Sequence, residues 1–155
     1  MTRLLTDLES AVRLIVYGRF TDTGSAPSVS EIAAGVGAED EAVREALEGL
    51  EAKHALTLDP VDRSVLMAHP FSAVPTPYPV TAGGLRYFAC CAWDALAMPP
   101  MLGRDALIEA TCAESGEPLE FRMDGRGREP SGPGAGGVVH ILVPFGRFWD
   151  DVGFT

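Results

Sequence analysis

The chain has 155 residues, 46% hydrophobic and 22% charged. That balance fits a folded protein of one domain, or two small ones sharing a core, and excludes an intrinsically disordered chain. The formal net charge is −10, so the overall field repels nucleic acid and anionic membrane, and neither is expected as a partner.

The opening segment, MTRLLTDLESAVRLIVYGRF, places Leu4, Leu5, Leu8, Val12, Ile15, Val16 and Phe20 at helical spacing, which predicts an amphipathic helix over the first ~18 residues. It lacks the continuous apolar core and small-residue cleavage site of a secretory signal, so a cytoplasmic location is expected. No apolar run approaches the roughly 20 residues of a membrane span. After the turn TDTGSAPS, Ser28 and Ser30 can each cap a helix, and Glu31 completes a capping-box pattern with Ser28. A short helix through Ile32 to Val36 should end at Gly37. A third helix carries Ala42, Val43, Ala46, Leu47 and Leu50 on one face. Weak strands are predicted around Ala55–Leu58 and Ser64–Ala68, joined by DPVD.

This order of elements is that of a winged-helix unit, and residues 1–70 are assigned to it. DNA binding is not expected. The would-be recognition helix carries Glu39, Asp40, Glu41, Glu45, Glu48 and Glu51 against only Arg44 and Lys53, the wrong sign for phosphate.

Residues 71–155 form the second predicted unit. PFSAVPTPYPV reads as a linker or wrapping loop, and VTAGGLRYFA as a hairpin or a strand entering the cysteine segment. CCAWDALAM reads as a short helix that Pro99 and Pro100 terminate. ALIEATCA and PLEFRMD read as strands joined at ESGE, GRGREPSGPGAGG as a flexible surface loop without a P-loop lysine, VVHILVPF as a buried strand, and GRFWDDVGFT as a short helix or turn. The expected fold is α+β: a winged-helix-like helical unit packed on a small mixed sheet.

The chemistry-bearing residues cluster in FACCAWDAL. On a helix Cys91 and Asp94 share one face. Amides at a helix N-terminus favour an anion, so a thiol there should ionise more readily. A thiolate prefers soft cations, and a neighbouring carboxyl can take up the thiol proton and deliver it as a general acid. The same spacing also suits a buried small hydrophobe beside an acid that stabilises the helix start. Cys90 points about 100° away, either into the core or inward as a second soft ligand. In a reducing compartment these thiols are ligands or reactive groups rather than a disulfide. Cys112 falls in a predicted strand and reads as structural. The three cysteines with His140 supply four potential zinc ligands in number, but no CxxC pair is present, and a structural zinc site is not expected. His54, His69 and His140 are assigned to surfaces or hydrogen-bonded core positions.

The ordered segments PFSAVPTPYPV, GLRYFACCAWDALAMPPML, ATCAESGEPLEF and VVHILVPFGRFWDDVGFT resemble the alkylmercury lyases (organomercurial lyases), with Cys91-Ala92-Trp93-Asp94 as the strongest motif. The helical unit before them looks like the family's N-terminal part. The resemblance implies protonolysis of a carbon–mercury bond, giving a hydrocarbon and Hg(II). Cys91 would be nucleophile and mercury ligand, and Asp94 the proton relay and a further mercury contact. Cys112 matches a family cysteine outside the catalytic set. No organic cofactor is implied, since mercury belongs to the substrate and product. The implied partners are a small organomercurial or other soft-metal ligand, and cellular thiols that regenerate the site. The family's second catalytic cysteine should follow the GFT motif directly, and this sequence stops at that motif. Three expectations follow: a truncated chain, Cys90 as substitute second ligand, or a member that binds metal or another ligand without cleaving.

Overall fold

The computed structural model describes residues 4–141 and 143–150. Three helices come first: α1 (Asp7–Thr23), α2 (Val29–Val36) and α3 (Asp40–Ala52). Five strands follow: β1 (Thr57–Leu58), β2 (Val65–Ala68), β3 (Phe71–Ser72), β4 (Pro79–Ala82) and β5 (Leu85–Ala89). Helix α4 (Ala92–Leu102), strands β6 (Ala106–Thr111) and β7 (Pro118–Met123), and a 3-10 turn over Phe145–Asp150 complete the described chain.

Local sequence explains the helix limits. Thr6 and Glu9 form a capping box that starts α1 at Asp7: the Glu9 amide donates to Thr6 Oγ1 at 3.1 Å and the Thr6 amide to Glu9 Oε2 at 2.6 Å. Leu4 and Leu5 therefore precede the helix. Ser28 and Glu31 do the same for α2, and Gly37 closes it at φ 68°. Ser30 caps nothing; its hydroxyl bonds Asp40 Oδ2 at 3.0 Å. Glu9, almost fully buried, also pairs with Lys53 at the end of α3. The Lys53 ammonium, then the Thr6 amide, hold the Glu9 carboxyl below its usual range.

The strands form one sheet in the order β1-β2-β3-β5-β4-β6-β7. Every pairing is antiparallel, which corrects the mixed sheet expected from sequence. Tight turns explain the β1–β2, β2–β3, β4–β5 and β6–β7 pairings, because strands so joined must run antiparallel. Gly83 and Gly84 make the β4–β5 turn, both at positive φ (58° and 79°), as a two-residue hairpin requires. Strand pairing runs unbroken from β2 into β3, so the presumed linker PFSAVPTPYPV contains β3 and opens β4.

One hydrophobic core joins the helices to the sheet. Val12, Val16 and Phe20 of α1, Leu47 and Leu50 of α3, Phe71, Val80 and Tyr87 of the sheet, and Met98 of α4 are all essentially inaccessible. Phe71 stacks on Phe20 at 5.2 Å and packs edge-on to Tyr17 at 6.3 Å. Each such pair adds about 0.5–1.5 kcal/mol beyond its burial, and together they fasten α1 to the centre of the sheet.

Three further expectations need correction. Helix α4 runs through Pro99 and Pro100 to Leu102. The prolines fall in its last turn, and buried Pro99 and Met98 hold that turn against the sheet until Gly103 ends it at φ 61°. Cys112 lies just beyond β6 at the start of the β6–β7 turn, its amide donating to Glu117 O at 2.8 Å. In VVHILVPF no strand forms among the described residues, and Val138 is 91% exposed. Ser131 bridges to Arg122 of the edge strand β7. Residues 151–155, which carry the GFT segment, lie outside the described residues.

Candidate functional site

The sheet carries the cysteine pair to its position. Strand β5 pairs with β3 so that Ala89 faces Phe71, and the chain leaves β5 directly into Cys90 and Cys91. The Cys90 amide donates to Pro70 O at 3.0 Å and its thiol to Phe71 O at 3.2 Å. Cys91 is the N-cap residue of α4, in extended conformation (φ −150°, ψ 178°). Asp94 is then the third residue of the helix. The Cys91 thiol donates to Asp94 Oδ2 at 3.4 Å, so the thiol and carboxyl predicted to share a face do meet.

The structure adds a residue that the sequence reading did not assign to the site. His69 occupies the tight turn between β2 and β3, and its Nδ1 lies 3.2 Å from Asp94 Oδ2. Its carbonyl accepts from the Tyr17 hydroxyl of α1 at 2.8 Å, so the first helix braces the turn that presents this imidazole. His69 Nε2 is buried with no hydrogen-bond partner among the described residues. Phe148 and Trp149 pack edge-on to the ring at 5.9 and 6.0 Å, and Trp149 also stacks on His54 at 4.5 Å. His140 is exposed. No periodicity marks His69, because its contact with Asp94 spans 25 residues and depends on the β3–β5 pairing. The single local clue was a histidine beside proline at a strand-to-strand turn.

The electrostatics differ from the helix-start expectation. Burial pushes the Cys91 thiol up, and the Asp94 carboxylate adds to this; the Asp94 and Trp93 amides pull the other way and lose. Cys90 is also raised, by burial first and then by the neighbouring Asp94 carboxylate. Helix-terminus stabilisation of a thiolate is therefore outweighed here. Both sulfurs are resting thiols, which deprotonate when a soft cation replaces the proton. Cys112 is the opposite case: the Ser115 hydroxyl and nearby amides lower its pKa, but it sits in the β6–β7 turn.

His69, Cys90 and Asp94 each offer one ligand atom, all within 4.8 Å of one another. Two surface depressions, one lined among others by Asp124 and Arg128 and one by Pro79 and Glu109, include none of these residues. The arrangement can bind a cation through sulfur, nitrogen and oxygen, and can pass a thiol proton to an adjacent carboxylate.

The family model for alkylmercury lyase matches residues 71–155. Curated relatives include the alkylmercury lyase of Bacillus cereus, 29% identical over 101 residues, which covers 65% of this chain and 44% of that protein. The enzyme of Staphylococcus epidermidis is 30% identical over 121 residues, 78% of this chain and 53% of that protein. The chain thus spans about half the length of these relatives. A solved structure, the mercury-bound form of MerB2, aligns over 79% of this chain and 58% of its own with a TM-score of 0.64 and 24% identity, so the fold is shared. With more than half of its length matched by the family model, the chain belongs to the alkylmercury lyase family.

Proposed function

We propose that this chain takes part in protonolysis of carbon–mercury bonds, with Cys91 as nucleophile and mercury ligand and Asp94 as proton relay. The observation that carries the reading is the Cys91 thiol donating to Asp94 Oδ2 at 3.4 Å at the start of α4. The Cys91 sulfur attacks the mercury of an organomercurial R–Hg–X, and its proton passes to Asp94 as X leaves. A second sulfur weakens the Hg–C bond by raising electron density at mercury. Cys90 is the sulfur available for this among the described residues; its own thiol proton leaves to solvent on coordination. Asp94 then protonates the carbon, the Hg–C electron pair forms the new C–H bond, and R–H departs. Mercury stays divalent throughout, so no oxidant or reductant is consumed. Cellular thiols remove Hg(II) and restore both cysteines.

The remaining assignments belong to the same reading. Residues 1–70 act as a winged-helix-like unit with a structural role, bracing the His69 turn through Tyr17, and residues 71–155 as the lyase unit. The protein works in the cytoplasm, away from nucleic acid and membrane; no described helix is long and apolar enough to cross a bilayer. The test is release of benzene and Hg(II) from phenylmercury by purified protein, with Cys91→Ser and Asp94→Ala each abolishing it. Release unchanged by both substitutions refutes the assignment. Stoichiometric mercury uptake without hydrocarbon release identifies a binding protein instead.

A further inference from the structure

We infer that His69, Cys90 and Asp94 also form a binding site for a zinc-class divalent ion, and that this ion and an organomercurial exclude each other by competing for Cys90 and Asp94. The ion site itself stands on the geometry alone; the competition rests on the proposed function. The ligand set is one imidazole nitrogen, one sulfur and one carboxylate oxygen, all within 4.8 Å of one another. Such a mixed set suits a borderline ion such as Zn(II), whereas mercury(II) favours paired sulfurs. Zinc bonds of about 2.0–2.3 Å imply ligand–ligand separations near 3.4 Å in a tetrahedron. Modest side-chain adjustment from the observed spacing reaches this, once the Cys90 thiol leaves Phe71 O.

Two independent features favour occupation by a cation. His69 Nε2 is buried without a partner among the described residues, and an orphaned buried ring nitrogen is costly unless something satisfies it. When the Asp94 carboxylate accepts from Nδ1–H, Nε2 carries the lone pair and a ring flip offers it to the ion; in the other tautomer the lone pair is on Nδ1, which already lies 3.2 Å from Asp94 Oδ2. The framework is also already built. The Tyr17 hydroxyl holds the His69 carbonyl, and Pro70 O holds the Cys90 amide, so little ordering is left for the ion to impose. Three protein ligands leave a fourth position open to water or to Cys91. Binding releases the Cys90 thiol proton to solvent, and no electron is transferred.

The experiment is a titration of the reduced, metal-free protein with Co(II), then displacement by Zn(II). The expected result is a one-to-one complex with a sulfur-to-cobalt charge-transfer band. Cys90→Ser should abolish the band, His69→Ala should weaken binding at least about tenfold, and Cys112→Ser should leave both unchanged. Circular dichroism melts confirm that the variants fold, and His69→Gln serves as a second variant of similar size, expected to weaken binding like His69→Ala. A band that survives Cys90→Ser, affinity indifferent to both His69 variants, or no saturable binding overturns the site. Phenylmercury cleavage is measured in parallel on the metal-free protein, then with Zn(II). Cleavage without cobalt binding sinks the ion site and leaves the lyase reading intact. Cobalt binding without cleavage does the reverse. Both activities present, with Zn(II) failing to inhibit, overturns the competition.

Discussion

Tyr17→Phe tests whether the first helix braces the site. The substitution deletes one hydroxyl whose hydrogen bond to His69 O, at 2.8 Å, joins residues 52 apart. The ring remains, so its edge contact with Phe71 at 6.3 Å and the Arg13 guanidinium at 5.2 Å from its centre are kept. The change is therefore one hydrogen bond and a carbonyl left short of a partner in a part-buried turn. That should cost about 1–1.5 kcal/mol, or roughly 2–6 °C in Tm for a chain of this size. The same turn offers Pro70 O to the Cys90 amide, and the next residue offers Phe71 O to its thiol. Loosening it should also raise the rate at which a neutral alkylating agent reaches Cys90. Thermal melts and mass-spectrometric alkylation rates measure both. Stability within about 0.3 kcal/mol of the parent, together with unaltered Cys90 protection, would refute the brace.

Three other outcomes follow from the structure. At neutral pH, alkylation should proceed in the order Cys112, Cys91, Cys90, since the first thiol has a lowered pKa and the other two are raised; Asp94→Asn should speed Cys91 by removing a neighbouring charge, and peptide mapping over time reads the order. Gly49→Ala should destabilise the protein although alanine favours a helix by about 1 kcal/mol, because the new Cβ would lie 2.2 Å from Glu9 Oε1 and displace the Lys53 pair; urea melts give the sign. Lys53→Met should cost roughly 3 kcal/mol at pH 7 by leaving the buried Glu9 carboxylate unpaired. Glu9 has a depressed folded pKa, so its stabilisation is full above the unfolded value of about 4.3 and fades as pH falls through the lower folded value. The gap between parent and variant should therefore narrow toward pH 3, and a gap constant with pH would count against the pair.

The sequence by itself determined the helices of the N-terminal unit, the Ser28 cap, the β1–β2 and β6–β7 hairpins, and the Cys91–Asp94 pairing. Each depends on residues a few positions apart, where periodicity, capping chemistry and turn composition act directly. The family was also legible, because it resides in ordered local motifs. What only the tertiary structure decided depends on contacts between distant segments. Pairing of β3 with β5 brings the His69 turn to Asp94 and removes His69 from the class of incidental histidines. Packing against the sheet carries α4 through Pro99 and Pro100, which local propensity alone would forbid. Burial reverses the expected ease of ionisation at Cys91, because desolvation of a thiolate outweighs the few amides at a helix start. Propensity and spacing are properties of neighbours along the chain; burial and convergence exist only once the sheet has closed.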